Sequence, residues 1–118
     1  MTSQEKAKLT EQIDAAIKRR RRIVYRIAKG TKHPEECLFL SRYKEEEKAL
    51  RIARKTGIGT GKRIRSMAER SARDWESEAV EEKKAILMHR TYCLFAVAEA
   101  IRGDRRHLKE LATMPKMR

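Results

Sequence analysis

The run Lys18-Arg19-Arg20-Arg21-Arg22, continued by Arg26 and Lys29, is the densest chemistry in the chain. These residue types bind oxyanions. A guanidinium makes bidentate hydrogen bonds to phosphate and to the guanine edge. A row of cations on a helix displaces the counterions of a nucleic-acid backbone, so such binding falls steeply with salt. At about 100° per residue, Lys18, Arg22, Arg26 and Lys29 gather on one side of a helix, flanked by Arg19, Arg21 and Tyr25. Arg20 does not belong to that stripe. It falls among Leu9, Ile13, Ala16, Ile23 and Ile27, so its head must either snorkel past the core or meet a carboxylate there.

A second cluster is Thr56-Gly57-Ile58-Gly59-Thr60-Gly61-Lys62-Arg63. It is not a Walker A loop: three residues rather than four separate Gly57 from Gly61, Arg63 stands where Ser or Thr belongs, and no strand precedes it. Over roughly 20 residues it resembles the hairpin of helix-hairpin-helix DNA-binding motifs, in which a Gly-hydrophobic-Gly turn joins two helices. Gly57-Ile58-Gly59 matches that turn, although Ile64 and Met67 fall one residue later than the pattern expects. The resemblance implies that backbone amides and the next helix N-terminus hold a phosphate, with Lys62, Arg63 and Arg65 supplying cations. The same segment also reads as a plain glycine-rich connection between helices.

Both cysteines have a histidine four residues earlier: His33 before Cys37 and His89 before Cys93. Two such pairs on adjacent helices could form a Cys2His2 zinc site. The competing reading is an ordinary buried thiol, since Cys93 sits in the most apolar segment of the chain. Neither a nucleophile motif nor a carboxylate pair in an apolar setting is evident, so the expectation is a binding protein without cofactor rather than an enzyme.

Helices must position these groups. Thr2 and Glu5 have capping-box spacing and Gly30 is placed to end a first helix over residues 3–29. A second helix is predicted to start at His33-Pro34-Glu35-Glu36 and stop at Gly57, its buried face blurred by Glu45-Glu46-Glu47. A shorter third begins near residues 60–62, with Ser71, Asp74 and Ser77 as competing boundaries. A fourth runs to Arg102, apolar almost all round from Thr91 to Ile101, which marks the central helix. A last one spans about Asp104 to Ala112. Met67, Trp75, Met88, Tyr92 and Phe95 read as core. No alternating strand and no internal repeat is present. The prediction is an all-α, single-domain bundle of four to five helices, with residues 113–118 as a tail.

Charge is segregated along the 118 residues. The total of 30 Lys and Arg against 17 Asp and Glu gives a formal net charge of +13. Residues 1–30 hold nine cations and three acids, a net of +6, while residues 74–103 hold four and six, a net of −2. A field of this size is self-repulsive and calls for an anionic partner. Nucleic acid, DNA ahead of RNA, is the leading expectation, in an accessory or regulatory role. The alternative is an adaptor or inhibitor that docks its basic surface on an acidic protein. A homodimer through the long first helix fits either. No apolar run nears the roughly 18 residues of a membrane span, and the polar first residues lack a signal-peptide core, so the expected location is cytoplasmic.

Overall fold

The Thr2 hydroxyl accepts the backbone N–H of Glu5 at 3.1 Å, satisfying one of the donors that a helix leaves unpaired at its start. From there the computed structural model, which describes residues 2–34, 37–57, 59 and 61–113, places five helices: α1 (Ser3–Gly30), α2 (Leu38–Thr56), α3 (Gly61–Ser77), α4 (Glu81–Ile101) and α5 (Arg106–Thr113). There is no strand among the described residues. The all-α bundle expected from the periodicity is the fold. Twenty-eight residues at about 1.5 Å each make α1 about 42 Å long, which accounts for most of the 47 Å long dimension.

α1 and α2 form an antiparallel hairpin whose register is read from two ion pairs, Asp14 with Arg54 at 3.0 Å and Arg20 with Glu46 at 3.1 Å. α3 and α4 form a second antiparallel hairpin, marked by Ser71 against Thr91 at 2.7 Å and Asp74 against Arg90 at 3.0 Å. α4 packs on each of the other four helices. That is the physical reason for its all-round apolar end: Thr91, Cys93, Leu94, Ala96, Val97, Ala98 and Ala100 are all buried. Leu9, Ile13 and Ala16 of α1, Ala49, Leu50 and Ala53 of α2, Ile64 and Ala68 of α3, and Leu108 and Leu111 of α5 close the core around it.

Several boundaries differ from expectation. α2 starts at Leu38, and the Cys37 N–H just before it donates to the Pro34 carbonyl at 3.2 Å. The predicted acidic first turn, Glu35 and Glu36, lies outside the described residues. α3 does not break at Ser71 or Asp74. It continues to Ser77, because the Ser71 and Asp74 side chains bond across to α4 rather than capping a new helix. Gly30 is the last residue of α1 and not a left-handed cap; the chain leaves through an extended Thr31. The left-handed ends are instead at Gly57 (φ 95°) and Gly103 (φ 114°). Gly61 matters for another reason: a Cβ there would come within 2.9 Å of Ile101 Cγ2, so the start of α3 abuts the end of α4. Met88 and Tyr92, expected in the core, are 41% exposed, while Met67 and Phe95 do pack against it. Among the expected tail, Thr113 closes α5 and residues 114–118 lie outside the described residues.

Candidate nucleic-acid interface

The α1–α2 hairpin turns its two apolar stripes toward the bundle, which leaves the outer edges of both helices facing each other across an open groove. Two adjoining stretches of it have volumes of about 600 and 750 Å³, and a depression of about 270 Å³ continues from them on the surface of α2 alone. Lys18, Arg21 and Arg22 line one wall from α1, and Lys44, Arg51, Arg54 and Lys55 line the other from α2, with Lys48 in the adjoining depression on α2. The acids in the groove are Asp14 and Glu47, and each is held by one arginine: Asp14 by Arg54 at 3.0 Å, Glu47 by Arg51 at 2.8 Å. Six cations remain. Among the described residues, none of Lys18, Arg21, Arg22, Lys44, Lys48 and Lys55 has a carboxylate partner.

Of the cations anticipated on α1, Lys18, Arg21 and Arg22 therefore sit in the groove. Arg26 and Lys29 are exposed farther along the helix, and Arg19 is partly buried. The α2 wall was not anticipated. Its signal is present as spacing, since Lys44, Lys48, Arg51 and Lys55 recur at intervals of four, three and four, the stripe of a helix face. Charge sums conceal it, because Glu45-Glu46-Glu47 offsets those cations in any running total.

Lys62, Arg63 and Arg65 belong to a different surface. α3 packs chiefly on α4 and only slightly on α2, so these three cations are carried by a helix that does not flank the α1 row. Lys62 and Arg63 are exposed, and Arg65 pairs with Glu69 one turn on at 3.4 Å. The Gly-hydrophobic-Gly resemblance rests partly on Ile58, which lies outside the described residues, as does Thr60.

Arg20 takes the second of its two options and meets a carboxylate. Its Nε donates to Glu46 Oε1 at 3.1 Å, and its Nη1 donates to the carbonyls of Ala16, at 3.4 Å, and of Leu111. Glu46 is thus the inward member of the three-glutamate run. Its other oxygen lies 2.9 Å from His89 Nδ1, and Cys93 Sγ lies 3.9 Å from Oε1. Burial, with the Glu46 charge beside it, raises the Cys93 thiol well above the ordinary range.

The two His–Cys pairs do not meet. His89 and Cys93 gather on Glu46, whereas Cys37 lies nine residues before Glu46 in the chain, about 13 Å along the helix axis. Among the described residues, the one group of three or more His, Cys, Asp or Glu side chains with ligand atoms within 4.8 Å is Glu99, Asp104 and His107. Its members already pair, Asp104 with Arg106 at 3.0 Å and His107 with Glu99 at 3.7 Å.

A second concavity, of about 390 Å³, opens between α1, α2, α4 and α5 beside Tyr43, Met88, His89 and Tyr92. Within it Glu46 is engaged with Arg20 and His89, and the Tyr92 hydroxyl with Glu110 at 3.2 Å. No described helix is long and apolar enough to cross a membrane. The chain matches no family model, and no curated protein or solved structure matches it.

Proposed function

We propose that this protein binds the phosphate backbone of a nucleic acid in the α1–α2 groove, as a binding protein in an accessory or regulatory role rather than as an enzyme. The observation that carries this reading is the set of six carboxylate-free cations along two neighbouring helices, Lys18, Arg21 and Arg22 across the groove from Lys44 and Lys55, with Lys48 beside them on α2. A polyanion running along the groove meets charge on both sides. Desolvation is slight in an open groove, so binding energy comes chiefly from counterion release. The acidic pairs Asp14–Arg54 and Glu47–Arg51 stay as they are and keep two arginines in place. DNA is the first ligand to examine.

The experiment is fluorescence anisotropy with labelled duplex DNA, single-stranded DNA and an RNA hairpin, across a salt series. If all six cations neutralise phosphates, the slope of log K against log salt is about −5 on duplex and about −4 on a single strand. Lys18, Arg21 and Arg22 changed together to Gln should reduce the slope and the affinity, and so should Lys44, Lys48 and Lys55 changed together. Changing Lys62 and Arg63 should have little effect. Binding that vanishes at physiological salt, or that ignores both groove variants, overturns the proposal and directs attention to an acidic protein as the partner of this surface.

A further inference from the structure

Tyr25 is 66% exposed and is the aromatic side chain that lines the groove, in the stretch it shares with Lys18, Arg21, Arg22 and Lys44. An aromatic ring left this open does nothing for the core. The Lys29 ammonium sits 5.8 Å from its centroid, a cation–π contact that fixes one side of the ring and leaves surface for a second planar partner. Val24 and Ala28, the neighbouring apolar groups, give that stretch a less polar floor than a pure phosphate track needs. Farther along the same end of the hairpin, Phe39 is 63% exposed with the Arg42 guanidinium 5.8 Å from its ring.

Cations on both walls with an exposed ring on the α1 side match the requirements of an unpaired strand: a charged groove for the backbone and a flat surface for a base. A duplex keeps its bases stacked inside and offers a ring in this position nothing to stack on. We infer that the groove takes single-stranded nucleic acid, with one unpaired base stacked on Tyr25 beside Lys29. This inference rests on the phosphate-binding reading above and adds the strand state of the ligand. The ring is tolerant of base identity because every base has a π-face, so selectivity is for the single strand and not for a sequence.

The test uses a 12-nucleotide oligo-dT carrying one 2-aminopurine, the same strand in a duplex, and oligo-rU of equal length. Wild-type protein, Tyr25→Leu and Tyr25→Phe are compared, with circular dichroism to check folding. On the single strand, Tyr25→Leu should weaken binding by about 5- to 150-fold, the equivalent of one stacked base, and should remove the quenching of 2-aminopurine. Tyr25→Phe should stay within about two-fold, since stacking needs the ring and not the hydroxyl. The salt slope should not move, because it counts phosphates. Equal losses on duplex and single strand, or no loss on either, overturn the inference while leaving phosphate binding standing. If no nucleic acid binds wild-type protein at physiological salt, both fail together. The rU arm separates DNA from RNA.

Discussion

Arg20 and Glu46 meet across the α1–α2 interface at 3.1 Å, 26 residues apart in the chain, with side chains 3% and 7% exposed. A buried charge is tolerable only where a partner and further hydrogen bonds replace its water. Arg20 has Glu46 and two carbonyls; Glu46 has Arg20, His89 and Cys93. Removing one member leaves the other uncompensated. Glu46→Ala should destabilise the fold by about 3–5 kcal/mol in chemical denaturation. The double change Arg20→Met with Glu46→Leu should recover most of that loss. A single Glu46→Ala no more harmful than an exposed Glu11→Ala would refute the arrangement.

Gly61→Ala should destabilise by about 1–3 kcal/mol, as overpacking does, because the new methyl would press on Ile101 Cγ2 at 2.9 Å. Ile101→Leu moves that branch away from Cβ. Combined with Gly61→Ala it should cost less than the sum of the two single changes. Simple additivity in thermal melts would show that the close approach is not the cause.

The two thiols should differ sharply in reactivity. Cys93 is fully buried, and burial beside Glu46 holds it protonated far above neutral pH. Since the thiolate is the reactive form, a disulfide reagent should modify Cys37 in the native protein and reach Cys93 only on unfolding. Two fast thiols under native conditions would contradict the packing.

Asp104 accepts hydrogen bonds from the Arg106 side chain and backbone N–H at the start of α5, which lowers its carboxyl to about 2 from an ordinary 3.8. The sign follows directly. A carboxyl depressed in the folded state favours folding above its ordinary range, and that contribution is lost as pH falls from about 4 toward 2. Because solvent reaches the carboxylate and screens it, the effect is small. The stability difference between wild type and Asp104→Asn should be present at pH 6 and shrink by pH 2. A difference that is constant across this range would rule out the carboxylate as its source.

How much was legible in the sequence differs by element. α1 could be read almost whole, because its apolar residues keep a single period and Thr2 supplies the cap. α4 could be recognised as central because it must be apolar toward four neighbours at once. α3 could not be bounded, since Ser71 and Asp74 look like helix starts, and only the presence of Arg90 and Thr91 opposite explains why they sit mid-helix. The groove was half legible. The Arg-rich run announces one wall, but the α2 wall is interleaved with acids that point elsewhere: Glu46 inward to Arg20, Glu45 toward Arg90, Glu47 back to Arg51. Linear charge sums cannot distinguish a neutralised cation from a free one. Met88 and Tyr92 show the converse limit, for helical spacing does not reveal how much of each side chain a neighbour covers: α5 meets Tyr92 through His107 and Glu110 and still leaves it 41% exposed.

The hairpin that carries the groove is clasped on its inner side by Arg20 and Glu46 and crowded on its outer side by six unneutralised positive charges. Those like charges repel one another, and the melting temperature should rise with moderate sodium chloride, the reverse of what an ion-paired surface would do. A short polyphosphate should achieve the same at far lower concentration. Occupancy of the groove would then act as a ratchet on the fold, with ligand and hairpin each holding the other closed.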